Sequence, residues 1–203
     1  MTERKMSRKE QILETLAAEL EQTPGGRITT AALAKGVGVS EAALYRHFAS
    51  KARMFEGLIA FAEETVFARI NQILESERDT RRRCAGIVYL MLGFADRNPG
   101  ITRVLLGDAL VGENERLHSR VEQFFARLEI QFRQVLREAK MREGEEITQS
   151  AEIGAGLMLA LVEGRLHQFL RTRFKVSPLN AWEAQWRLLE QALFTIDHDG
   201  ADR

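Results

Sequence analysis

The sequence predicts an all-α protein of about nine helices: an N-terminal three-helix unit holding a helix-turn-helix, then a larger helical unit. Three observations predict it. Apolar residues recur at helical spacing along most of the chain, and strand-like alternation is hard to find. Glycine and proline mostly punctuate the periodic runs, with only three prolines in 203 residues. Near the N-terminus two short runs meet at a glycine turn, the spacing a helix-turn-helix requires.

Each element follows from local chemistry. Residues 7–22 place Ile12, Leu13, Leu16, Ala17 and Leu20 on one stripe, and "TPGGR" (23–27) ends that helix. Thr29 offers an N-cap for "TAALAKG", "GVGV" turns the chain, and Ser40 caps "EAALYRHF". From Ser50 a long helix runs to about Glu77, with Met54, Leu58, Phe61, Thr65, Ala68 and Ile73 along it. Another begins near Thr80 and stops at "RNPG" (97–100), because Pro99 pushes Asn98 out of the helical region. A shorter helix over 101–110 and a longer one over 114–140 follow, before the polar break "REGEE". Residues 148–173 form the next helix, and "SPLNAW" leads into a last one to about Ile196. The expected division is 1–50, 51–196 and a frayed tail, 197–203.

Composition excludes several classes. The chain is 45% hydrophobic and 29% charged, ordinary for a globular protein. Lys plus Arg and Asp plus Glu both number 29, so any attraction to nucleic acid must come from a local patch. The single cysteine, Cys84, allows no internal disulfide and no cysteine metal cluster, which fits a reducing compartment. "MTERKMSRKEQ" lacks the apolar core of a secretory signal, and "GAGLMLALVEG" (154–164) is too short to span a bilayer. The expected location is the cytoplasm, and neither a metal nor a cofactor is expected.

The stretch "VSEAALYRHFASK" (39–51) sets Tyr45 beside His47, which invites an acid–base reading. Residues two apart on a helix do not face each other, and no carboxylate or second histidine completes a set. His118 with Glu122 is the nearest other pair, and an exposed i, i+4 pair accounts for it. An enzyme is therefore not expected. As a helix-turn-helix the same residues are coherent. Ala34 lets the second helix approach, Gly38 takes the turn, and Val39 and Leu44 pin the pair on the preceding helix. Two merely packed helices would share that spacing. Three features favour a phosphate-facing surface. Thr29 and Ser40 stand at helix N-termini, where anions bind. Lys51 puts a cation at a third, where it is unfavourable unless an anion faces it. An N-terminal arm carries Arg4, Lys5, Arg8 and Lys9.

"ITTAALAKGVGVSEAALYRHFASKARMFEGL" resembles the DNA-binding domain of the TetR family, whose recognition helix ends in a tyrosine, a basic or polar residue and His-Phe, followed by a lysine. "LGFADRNPGITR", "RQVLRE" and "MREGE" extend the likeness, from about Ser7 to Trp186, to the family's nucleoid-occlusion branch. The resemblance implies a TetR-like fold and double-stranded DNA as a partner. Thr29, Tyr45, His47 and Lys51 would position the domain on phosphates, with Thr30 in the same DNA-binding set. Ser40, Ala42, Ala43 and Arg46 would face bases, with Arg46 on a guanine or, nearly as readily, on a phosphate.

For the larger unit, the stripe Leu117, Val121, Phe124, Leu128, Phe132 and Val135 reads either as core or as a dimer seam. Helix 153–162 is apolar almost all round and should be buried on several sides, with Gly154, Gly156, Ala160 and Gly164 allowing a close helix approach. A homodimer seam through these two helices is the preferred reading, with one or more dimers per DNA site. Leu90, Gly93 and Arg97 share a face of one helix, and Phe61 and Arg69 a face of the preceding one; helix packing alone also explains that. The nucleoid-occlusion likeness implies that these positions, with Asn98, bind the C-terminal tail of the division protein FtsZ. It further implies control by DNA and a protein partner rather than by a small-molecule effector, and association with the nucleoid. The alternative within the same fold is an effector-responsive transcriptional repressor, with the phenylalanines of 124–132 lining a pocket.

Overall fold

The computed structural model describes residues 6–143 and 147–194. Within them are nine α-helices and one short 3-10 turn: α1 (Arg8–Gln22), α2 (Thr30–Val37), α3 (Glu41–His47), α4 (Lys51–Ser76), α5 (Thr80–Arg97), α6 (Pro99–Leu105), the turn Asp108–Leu110, α7 (Glu115–Glu143), α8 (Ala151–Arg171) and α9 (Trp182–Leu193). No strand is formed among these residues; Ile147 and Phe194 make one isolated bridge. The expected last turn to Ile196, the tail 197–203, the arm residues Arg4 and Lys5, and part of the break at 142–146 lie outside the described residues.

Hydroxyl and carboxylate caps set most helix starts. Ser7 and Glu10 form a reciprocal capping box on α1. Thr29, Ser40, Ser50, Asp79 and Ser150 each accept a backbone N–H in the first turn of the next helix. Gly38 closes α2 at φ +74°, a left-handed position that a side chain would strain. Around that turn Leu33, Ala34 and Leu44 are buried against the α1 residues Ile12, Leu16 and Leu20. The three-helix unit thus has the core its sequence implies.

Three expectations need correction. The helix expected at 101–110 begins at Pro99 and ends at Leu105. Proline suits the first helical position, where its missing N–H would have no partner anyway. Second, the apolar face of α4 is Met54, Phe55, Leu58, Ile59, Ala62, Val66, Phe67 and Ile70, whereas Phe61 and Ala68 are exposed. Helix α4 meets α1, α5, α6 and α7. Those neighbours, on several sides, decide which stripe is covered.

The third concerns the seam. The α7 residues Leu117, Val121, Phe124, Leu128, Phe132 and Val135 are all buried within the single chain, against α4, α5 and α8. They are core. Gly154 also serves the chain's own packing, since a Cβ there would lie 2.7 Å from Leu136 Cδ1. Helix α8 is not buried all round. Its inner face is Ala155, Met158, Val162 and Leu166, while Ile153 and Leu157 are 57% and 44% exposed and Ala160 and Gly164 face outward with them. Nothing would touch a Cβ on Gly156 or Gly164. Phe124 packs edge-on against Phe67, with ring centroids 5.5 Å apart, so the aromatic stripe fills space at that point.

Candidate DNA-recognition and partner surfaces

Helix α3 presents its outer face to solvent. Glu41, Ala42, Tyr45, Arg46 and His47 are exposed, Ala43 is half-buried, and Leu44 alone is fully inside. His47 therefore does not pack under the helix. The Ser40 Oγ accepts from Ala43 N at 3.2 Å, which fixes the hydroxyl at the mouth of α3 and leaves its proton free to be donated. Thr29 does the same for α2 through Ala32 N. The Thr30 Oγ1 donates to Glu41 Oε2 at 2.7 Å, so this hydroxyl ties the two helices together.

Lys51 differs from expectation. Its Nζ lies 2.7 Å from Glu113 Oε1, in the loop before α7, and 5.4 Å from the centre of the Phe55 ring. The anion that offsets a cation at the start of α4 is supplied by the protein in this state. No local pattern foreshadows the pair, whose members are 62 residues apart.

The three-helix unit is fastened to the rest at a second place. Arg103 is 1% exposed, with Nε 2.5 Å from Asp108 Oδ2. Its Nη1 donates to the carbonyls of Leu20 and Thr23 at 2.8 and 2.6 Å, and Nη2 to that of Gly26 at 3.2 Å. One guanidinium thus satisfies carbonyls where α1 ends and holds the loop leading to α2. The signal for it in the sequence is the lone arginine in the apolar run "GITRVLL". Farther along, Arg120 donates to both Glu63 oxygens, at 2.6 and 3.2 Å, and to the Glu56 carbonyl. The side-chain hydrogen bonding to Glu63, and then the charge of Glu63, hold the Arg120 pKa above its ordinary value against the opposing effect of burial.

The residues matched to a partner surface fall into separate groups. Phe61 is 47% exposed and, with Asn98, lines a groove of about 520 Å³ between α1, α4 and the start of α6. Leu13, Ala17, Leu58 and Ile101 supply its apolar wall, and Glu10 and Glu14 its acid groups. Sequence reasoning treated Leu13 and Ala17 only as core. Asn98 Nδ2 donates to the Phe94 carbonyl at 2.8 Å. Gly93 is covered by Arg97, whose Nη1 would sit 3.4 Å from a Cβ at 93, an ordinary contact with the end of a flexible side chain, so packing does not require a glycine there. Arg97 and Arg69 are exposed, the latter donating to Gln72, and Leu90 is half-buried on the core. Arg69, Leu90, Gly93 and Arg97 do not line the groove that Phe61 and Asn98 share.

Comparison with known proteins agrees along both units. Residues 12–58 match the family described as bacterial regulatory proteins, tetR family, and residues 78–194 the SlmA-like tetracyclin repressor-like C-terminal domain. The chain is 56% identical over 189 residues to the nucleoid occlusion factor SlmA of Shewanella sp. strain MR-4, covering 93% of this chain and 96% of that one. The SlmA of Shewanella halifaxensis is 55% identical over the same spans. The MbdR regulator of Azoarcus sp. CIB superposes with a TM-score of 0.77 at 14% identity, over 93% of this chain and 100% of that one. The ketosteroid regulator KstR2 of Mycobacterium tuberculosis gives 0.74 at 18%, over 95% and 98%. At such identities these two structures speak for the fold. The family is one of regulators, and the protein is not an enzyme. The chain belongs to the TetR family of bacterial regulatory proteins, in its SlmA-like branch of nucleoid occlusion factors.

Proposed function

We propose that the protein is a nucleoid-associated homodimer that binds specific double-stranded DNA sites and, when bound, antagonises FtsZ assembly over the chromosome. The observation that carries this is that one chain builds two exposed surfaces, the outer face of α3 and the groove at Phe61 and Asn98. Its 56% identity to nucleoid occlusion factors supports giving both surfaces work. Residues 1–50 are the DNA-binding unit, 51–196 the dimer and partner unit, and 197–203 a tail. Helix α3 enters the major groove, with Ser40, Ala42, Ala43 and Arg46 toward bases and Thr29, Thr30, Tyr45, His47 and Lys51 toward the backbone. A two-fold dimer sets two such helices about one helical turn apart, which lets a seven-residue helix suffice. The α8 face at Ile153, Leu157, Ala160 and Gly164 supplies the seam. No described helix is long and apolar enough to cross a membrane.

An extended peptide bearing carboxylates and aliphatic side chains would have to reach beyond the groove: Phe61 offers apolar contact there, while Leu90 and the charges of Arg69 and Arg97 lie outside it. The experiment is a titration of a labelled FtsZ C-terminal tail peptide, with and without a selected DNA duplex. Phe61→Ala and Arg97→Ala each weaken peptide binding about tenfold or more, the range of anchor residues, while DNA affinity is kept. Unchanged peptide affinity in both variants contradicts the assignment. Release of DNA by a small apolar ligand instead would favour the effector-responsive repressor.

A further inference from the structure

One loop before α7 holds two cations, Arg27 of the DNA-binding unit and Lys51 at the start of α4. Glu113 pairs with Lys51 at 2.7 Å, with side chains 19% and 27% exposed. Two residues earlier, the Val111 carbonyl accepts from Arg27 Nη2 at 3.5 Å. The loop is anchored at both ends, because Leu110 and Leu117 are buried and His118 Nε2 lies 3.1 Å from the Leu110 carbonyl. Beyond it, Arg116 and Arg120 fasten α7 to Glu56 and Glu63 of α4. The carboxylate of Glu113 is therefore presented to Lys51 from a fixed frame.

Lys51 is the first residue of α4, where the helix dipole disfavours a cation and favours an anion. A DNA phosphate at that point and the Glu113 carboxylate meet the same need with the same chemistry, anionic oxygen on an ammonium. An ammonium has three donors, but bringing two anions onto one cation sets like charges a few ångströms apart.

We infer that Glu113 is an internal anion that competes with a DNA phosphate for Lys51, so that DNA binding breaks the Lys51–Glu113 pair and frees the 111–114 loop. The inference rests on the DNA-binding reading above. Glu113 is then a positioning residue: it holds Lys51 in the DNA-free state and lowers DNA affinity by the strength of the pair. The coupling is reciprocal, so anything bound to the larger unit that draws the loop away from Lys51 raises DNA affinity by the same factor.

The test first uses the wild-type protein to select a duplex from a random oligonucleotide pool. That labelled duplex is then titrated by anisotropy across a KCl series with wild type, Glu113→Gln, Lys51→Ala and the double variant. Glu113→Gln binds about two- to fivefold tighter at every salt concentration, the scale of a partly exposed ion pair. Its slope of log affinity against log salt is unchanged, because the number of phosphate contacts is the same. Lys51→Ala binds more weakly with a slope shallower by about 0.9, and adding Glu113→Gln to it changes nothing. Glu113→Ala, which leaves no amide to replace the carboxylate, repeats the pattern. An equal gain in both backgrounds overturns the competition, since the charge then acts on DNA from a distance. Unchanged or weaker binding by Glu113→Gln and Glu113→Ala also overturns it, with Lys51 keeping both anions or never meeting DNA. Failure of the wild-type protein to select any duplex sinks the DNA-binding reading itself, a result distinct from either.

Discussion

Arg46 and Lys51 are five residues apart in the sequence and reach opposite circumstances. Arg46 is exposed at the end of α3, free to meet a base edge, whereas Lys51 is half-buried and paired with Glu113. Arg46→Ala is expected to relax preference at one position of the DNA site, with about 1–3 kcal/mol of discrimination lost there. Sequencing of pools selected by the variant measures this; a uniform loss over all positions would make Arg46 a phosphate contact instead. Residue-scale features were legible where their cause is local. Thr29, Ser40 and Ser50 could be read as caps because a hydroxyl before an apolar run has few other uses. Glu113 as the partner of Lys51, and the carbonyls that Arg103 reaches at Leu20, Thr23 and Gly26, could not, because each is chosen by a fold that brings together residues more than 60 positions apart.

At the scale of elements, α6 shows how tightly the two units are joined. A Cβ at Gly100 would fall far inside the van der Waals contact distance of the Ala17 carbonyl oxygen, so α1 and α6 touch backbone to backbone. Gly100→Ala must separate them and is expected to cost about 3 kcal/mol or more, measurable by urea denaturation. A cost below about 1 kcal/mol would mean that the junction gives way easily. The existence and order of the helices were legible in their punctuation, and α4 and α5 start where Ser50 and Asp79 cap them. Which face of a helix is inward was less so. Helix α4 has apolar residues on more than one stripe, and contact with four neighbours left Phe61 outside while covering Phe55, Ile59 and Val66. For α8 the same ambiguity hid an outward face at Ile153 and Leu157.

For the whole molecule, that α8 face is the proposed seam. Leu157→Glu places a carboxylate in it and is expected to yield a folded monomer by sedimentation, with DNA affinity lowered at least tenfold through loss of the second half-site. A variant that stays dimeric would move the seam elsewhere. The candidate site was legible in two unequal parts. The recognition helix is a contiguous stretch whose exposed residues follow from its period. The groove proposed as a partner surface lies between α1, α4 and the start of α6, and its α1 wall of Leu13 and Ala17 reads as ordinary core until the fold is seen. The central claim is that DNA binding at α3 and action on FtsZ belong to one molecule. The measurement that tests it most directly is light scattering of assembling FtsZ with this protein, with and without its selected duplex. The account predicts that scattering falls in the presence of the protein and falls markedly further once the duplex is added. Scattering that is indifferent to both protein and duplex, in a preparation that binds the duplex, would contradict it.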